Sequence, residues 1–237
     1  MNILITGASR GIGAAAYALL KSRGHNTVGH STRGGGELVA GDLEDPSAPP
    51  AIWESAVERI GGRIDVLVNN AGIYETADET ASDDDWQRAW ARTMTINLQS
   101  AADLCRLAIR HFRDNGARTE GGRIVNVSSR AAYRGDSPQH WHYAASKAGM
   151  IGMTKSIARG YASENILCFA VTPGFTVSEM TTDYLEGRGG AKILAEIPLG
   201  RVASTDEVAE VIRWAATEAP PSATGTVIDV NGASYVR

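Results

Sequence analysis

Short apolar runs recur along this chain, separated by longer stretches with helical spacing. The runs are Ile3–Thr6, Thr27–Ser31, Glu37–Ala40, Val66–Asn69, Arg123–Ser128, Leu167–Thr172 and Thr226–Val230. They are rich in Val and Ile and do not alternate apolar with polar. That is the pattern of strands buried on both faces of a parallel sheet. Between them, Gly11–Arg23, Ala51–Ile60, Trp86–Asn115, Tyr143–Ser163 and Ser204–Thr217 read as helices. The first stops at Gly24, and the last opens on the capping box Ser204-x-x-Glu207. Strands and helices in alternation build right-handed βαβ crossovers. The expected fold is α/β: a doubly wound, mostly parallel seven-stranded sheet with helices on both faces. One link stands out, because Ser31 reaches Gly36 and the third strand with no room for a crossover helix.

No repeat and no break in composition divides the 237 residues, so residues 1–237 read as one domain. A net charge of −4 with no basic stripe argues against nucleic acid as a partner. No apolar run approaches the ~18 residues of a membrane span. Met1–Ile5 reads as a first strand rather than a signal peptide, which makes the expected location cytoplasmic. Cys105 and Cys168 lack metal-like or C-x-x-C spacing and read as reduced residues in packed elements.

The segment Thr6-Gly7-Ala8-Ser9-Arg10-Gly11-Ile12-Gly13 joins the first strand to the first helix. Glycines there let backbone approach a pyrophosphate, and the helix N-terminus offers unpaired N–H groups. The spacing is GxxxGxG, so its position carries more weight than the glycines alone. It makes the expected fold Rossmann-type. After the second strand an NAD site would place a carboxylate for the ribose hydroxyls. Here stand Ser31-Thr32-Arg33. Arg10, Arg33 and the Thr32 hydroxyl suit a 2′-phosphate, so the expected cofactor is NADP(H), with NAD(H) second.

Tyr143 and Lys147 lie four apart on a helix, hence on one face. A free phenol has a pKa near ~10, and bringing it to ~7 needs roughly 4 kcal/mol. One cation ~4 Å away at an effective dielectric of ~20 supplies about that much. Lys147 can therefore tune Tyr143 as a general acid in reduction and a base in oxidation. Tyr17 and Lys21 share the spacing but follow no serine-bearing strand, and read as an accident of the helix face. Asn97 is a poor helix-interior residue, so a kink holding a water is expected there.

The order of these pieces, with Asn69-Asn70-Ala71-Gly72, Ser129 and Pro173-Gly174, resembles the short-chain dehydrogenase/reductase family over essentially the whole chain. Within it the chain is similar to the single-domain branch, near the 3-oxoacyl carrier-protein reductase group. The resemblance implies a catalytic set of Asn97, Ser129, Tyr143 and Lys147. Ser129 would bind the substrate carbonyl, although its loop to Tyr143 is one residue longer than usual and Ser128 is the fallback. Lys147 would also hold the nicotinamide ribose. Cofactor contacts are implied at Gly7, Ser9, Arg10, Gly11, Ile12, Gly13, Thr32, Arg33, Asp42, Leu43, Asn70, Ala71, Gly72, Tyr143, Lys147, Pro173, Gly174, Thr176 and Ser178. Asp42 and Leu43 match the adenine's place, Thr176 that of the carboxamide. A homotetramer or homodimer is the implied assembly.

The substrate side carries fewer signals. Tyr133, Trp141 and a flap from Val177 to Leu185, within the irregular stretch Thr176–Pro198, are expected to shape access. No dedicated anion clamp is evident. His140 and His142 lack a third ligand, so no metal is expected. The expected activity is hydride transfer between NADP(H) and a carbonyl/alcohol pair, a 3-oxoacyl thioester and a small ketone both fitting. The alternatives are an alcohol or sugar dehydrogenase on the same scaffold and a non-catalytic dinucleotide sensor, a class that usually lacks the Tyr/Lys pair kept here.

Overall fold

The computed structural model describes residues 1–115, 121–176 and 190–237. Among them run β1 (Asn2–Ile5), β2 (Asn26–Ser31), β3 (Val39–Ala40), β4 (Val66–Asn69), β5 (Gly122–Val127), β6 (Ile166–Pro173) and β7 (Val227–Val230). They form one sheet in the order β3-β2-β1-β4-β5-β6-β7, every pair parallel. The order reverses between β1 and β4. At such a switch point the loops beyond the strand ends part and leave a crevice for a ligand.

Successive strand residues point to opposite faces, and both faces are covered. Leu4, Leu67 and Ile124 pack with α2 (Ala48–Ile60), α4 (Ser100–Asp114) and α5 (Trp141–Tyr161) on one side. Ile3, Ile5, Val66, Val68, Val125 and Phe169 pack with α1 (Gly11–Ser22) and α6 (Thr205–Thr217) on the other. This double covering is why the strands read as unbroken apolar runs.

Local chemistry sets the helix ends. Ser204 Oγ accepts from Glu207 N at 3.1 Å and the Glu207 carboxylate accepts from Ser204 N at 2.8 Å, so the capping box forms. The second helix starts at Ala48, three residues before the expected Ala51, because Pro49 and Pro50 fit the first turn, where no N–H is needed. The expected Trp86–Asn115 helix resolves into α3 (Asp83–Met94), a π-helical turn Thr95–Gln99, and α4. Ser82 caps α3, accepting from Asp85 N at 3.2 Å.

The third strand is two residues long, shorter than the expected Glu37–Ala40. Gly35 and Leu38 instead form an antiparallel bridge. A parallel partner normally needs a long crossover. Here β3 pairs only with the last two residues of β2, His30 with Val39 and Ser31 with Ala40. The chain therefore turns once, beyond the sheet edge, through Gly34, Gly35 and Gly36, all at positive φ.

Candidate active site

The glycine loop is held by the end of β4. Thr6 Oγ1 accepts from the backbone N–H of Asn70 and of Ala71, both at 3.0 Å. Asn70 Nδ2 donates to the carbonyls of Thr6 at 3.0 Å and Gly7 at 3.2 Å. A Cβ on Gly13 would lie 2.0 Å from the Gly7 oxygen, so only glycine lets α1 start this close. Gly7 and Gly11 take positive φ. Arg10, at the N-cap of α1, provides no side-chain cap, and no acidic residue stands in the first turn. The helix therefore presents bare N–H groups and the positive end of its dipole, which fits a pyrophosphate.

Ser9, Arg10, Thr32 and Arg33 are exposed around that loop, Ile12 is half-buried in α1, and neither arginine is ion-paired among the described residues. Asp42 is exposed and accepts from Glu44 N at 3.1 Å, while Leu43 turns into the core. His30 is buried behind both walls: Nε2 donates to Gly41 O at 2.8 Å, leaving Nδ1 to accept from Gly7 N at 3.5 Å. Burial holds its pKa below the ordinary histidine value.

The strand ends β4, β5 and β6 meet α5 at the second half of the crevice. Tyr143 is half-buried, with the Ser129 side chain near enough to favour its phenolate, and Ser129 Oγ accepts from Ala131 N at 3.1 Å. Ser128 faces away, its hydroxyl donating to the Lys147 carbonyl at 2.7 Å. Lys147 is buried, with Nζ 5.8 Å from the Tyr143 ring centre and donating to Val127 O at 3.0 Å. Burial pushes the Tyr143 phenol up to about 12 and the Lys147 ammonium down to about 8. The expected tuning of the phenol by the ammonium is thus outweighed in the protein itself, because both charged forms lose their solvation there.

Asn97 sits inside the π-helical turn, with its amide fixed at both ends: Oδ1 accepts from Ile73 N at 2.8 Å, and Nδ2 donates to Ile73 O at 2.9 Å. A third bond runs from Nδ2 to Ser146 Oγ at 3.3 Å. A Cβ on Gly72 would stand 3.2 Å from Asn97 Oδ1 and 3.4 Å from Lys147 Nζ, so the three groups converge on one point. Pro173 ends β6. Gly174 presses against Asn231, and Thr176 bridges to Ala203. Ser178 and the flap Val177–Leu185 lie outside the described residues.

Two residues at this site, Tyr74 and Arg130, went unread in the sequence. Tyr74 packs edge-on against Tyr143, ring centres 4.8 Å apart, and stacks on His140 at 3.9 Å. Arg130, the residue after Ser129, is buried against Phe175. Its place beside the serine was the available clue. Trp141 and His142 turn toward α3, meeting Trp86 and Trp90 at 5.5 and 5.9 Å. Tyr133 stacks on Tyr235 at 5.8 Å. Among the described residues, no three His, Cys, Asp or Glu side chains group as metal ligands. Cys105 and Cys168 are free and buried, in a polar cluster with Asn69 and Asn126.

Comparison with known proteins shows the family and the fold. The family described as "Enoyl-(Acyl carrier protein) reductase" matches residues 7–233. Curated 3-oxoacyl-[acyl-carrier-protein] reductases are 34% identical in Vibrio cholerae, over 98% of this chain and 96% of theirs. The Thermotoga maritima reductase is likewise 34% identical, over 97% and 95%. A crystal structure of the TT0495 protein from Thermus thermophilus superposes with a TM-score of 0.87 at 26% identity, covering 98% of this chain and 97% of that one. The chain belongs to the short-chain dehydrogenase/reductase family, and it is an oxidoreductase. Among the described residues no helix is long and apolar enough to cross a membrane.

Proposed function

We propose that this protein is an NADP(H)-dependent carbonyl reductase working through Ser129, Tyr143, Lys147 and Asn97. The observation that carries the reading is the meeting of Ser129, the half-buried Tyr143 and the buried Lys147 at the sheet's carboxyl edge, beside Gly72. The dinucleotide supplies the hydride. Its pyrophosphate would rest on Gly7, Ser9, Gly11, Ile12 and Gly13, its adenosine between Thr32, Arg33, Asp42 and Leu43, and its nicotinamide end against Asn70, Ala71, Gly72, Pro173, Gly174 and Thr176. Arg10 and Arg33 would hold the 2′-phosphate. Ser178 belongs to the same expected set.

In reduction, Ser129 and Tyr143 donate hydrogen bonds to the carbonyl oxygen, where negative charge gathers as the carbon accepts hydride. Tyr143 then releases its proton to that oxygen. A phenol held near 12 is a reluctant donor, so the positive charge of Lys147 must count most as the reaction advances. The point shared by Lys147, Asn97 and Gly72 can seat a water that returns the proton from outside. The relatives' names favour a 3-oxoacyl thioester substrate. The dehydrogenase direction on an alcohol or sugar is the second reading. On the same view the protein is a single-domain, cytoplasmic homotetramer or homodimer.

The test is NADPH oxidation against a panel of 3-oxoacyl thioesters, ketones, keto acids, quinones and sugars, run beside calorimetric binding of NADPH and NADH. Arg10→Ala with Arg33→Ala should weaken NADPH by about 100-fold, two charge-assisted contacts, and NADH by less than about 3-fold. Equal losses would refute the 2′-phosphate assignment, and an inert panel would refute the reductase.

A further inference from the structure

Among the described residues two Lys or Arg side chains are buried, Lys147 and Arg130, with 4% and 8% of their surfaces exposed. Lys147 donates to the Val127 carbonyl. Arg130 makes no side-chain hydrogen bond or ion pair among the described residues, and its Nη1 is both buried and unpartnered. What its guanidinium has instead is an aromatic face, lying 4.6 Å from the centre of the Phe175 ring. A cation–π contact supplies part of the lost hydration, but it leaves the in-plane N–H groups unused. Burial accordingly lowers the guanidinium's pKa.

The nearby carboxylates are committed elsewhere. Glu196 pairs with Arg134 at 3.1 Å. Asp136 accepts from the Tyr74 hydroxyl at 3.2 Å and from Ser137 N at 2.8 Å. Both act on Arg130 only through space. A buried charge without a partner is costly, and a site retains one where something else completes it.

The position says what that is. Arg130 follows Ser129 directly, its N–H bound to Pro173 O at 3.0 Å, so the backbone fixes it across the end of β6. Tyr74 lies within electrostatic reach of it and touches the Tyr143 ring. The guanidinium thus lies against Phe175, in the segment that follows Pro173-Gly174, and on the side of Tyr143 that Tyr74 occupies. Its planar fork matches a carboxylate with two parallel hydrogen bonds.

We infer that Arg130 is a specificity-determining residue that binds a carboxylate of the substrate, so that the preferred substrates are keto acids rather than neutral ketones. This rests on the reductase reading above. The chemistry is otherwise unchanged: a keto acid takes hydride at carbon and a proton at oxygen, giving a hydroxy acid as the reduced dinucleotide is oxidised.

The test uses acetoacetate, levulinate and para-acetylbenzoate, each beside its methyl ester, with the wild type, Arg130→Met and Arg130→Lys. At least one acid should exceed its ester in kcat/KM by about 30-fold or more in the wild type. Arg130→Met should bring that ratio to about 1 while holding the ester within about 3-fold, and Arg130→Lys should fall between. No preference in the wild type, or equal loss of acid and ester in Arg130→Met, would overturn the inference and leave the reductase standing. Calorimetry of the same acids on the protein, with and without NADP+, reads binding where no reduction can occur. If nothing is turned over, acid binding abolished by Arg130→Met sustains carboxylate recognition while the reductase reading falls, and absence of acid binding overturns both.

Discussion

The molecule contains the same four-residue spacing twice, and the two copies are opposites. Tyr17 and Lys21 lie on the outer face of α1. There the Tyr17 hydroxyl donates to Glu37 at 3.0 Å and Lys21 is ion-paired to the same carboxylate. Contact with that carboxylate raises the Lys21 pKa. Tyr143 and Lys147 lie on the inner face of α5, with no carboxylate in hydrogen-bond contact among the described residues and the ammonium driven down to about 8 by burial. One helix geometry thus gives a solvated clamp in one place and, in the other, a neutral phenol beside an ammonium stripped of solvent. Spacing brings the two side chains to one face; the strand end that the face meets decides what they do.

The largest expected contrast is catalytic. Tyr143→Phe should lower kcat by about 1,000-fold or more with NADPH binding intact, whereas Tyr17→Phe should change kcat by less than about 2-fold, measured by steady-state kinetics. Similar losses in both would erase the distinction. Next, Ser129→Ala should cost about 100-fold in kcat, as for other oxyanion donors, and Ser128→Ala far less, since its hydroxyl serves a backbone carbonyl. The reverse result would move the catalytic serine to the fallback position.

The third contrast is in stability. Lys147 titrates lower in the folded chain than in the unfolded one, so between about pH 8 and 10.5 the unfolded state binds more protons. Its contribution to stability therefore rises with pH through that window. Lys147→Met should stabilise the protein at pH 7 by on the order of 2 kcal/mol and remove that part of the rise, followed by urea denaturation at both ends. A destabilised Lys147→Met would show that the Val127 contact outweighs desolvation. Smallest of all, Glu37→Gln should leave the urea midpoint near the wild type's, because an exposed ion pair contributes little.

Much of this was legible beforehand because it is local. The capping box at Ser204, the glycine loop ahead of α1 and the apolar runs each depend on neighbours within a few residues. The irregular turn around Asn97 was readable from a poor helix former, although the two hydrogen bonds of its amide to the Ile73 backbone were not. What escaped depends on contacts between distant segments. The Lys147 reading assumed a cation close to the phenol in a moderately polar medium; burial by three strand ends inverted the balance. Arg130 looked like one more arginine until β6 and Phe175 closed over it. The early start of α2 is the local exception, since Pro49 and Pro50 are compatible with a first turn.

The turn that replaces a crossover helix after β2 also governs how this molecule meets its own kind. A strand at the rim of a sheet is an invitation to any passing chain with free amides. Here the rim offers two residues, Val39 and Ala40, hemmed by a glycine turn on one side and Asp42 on the other. That is too little ladder for a stranger to dock on. By trimming that margin to a stub, the chain protects itself against fibrous stacking at that edge while leaving the crevice above it open.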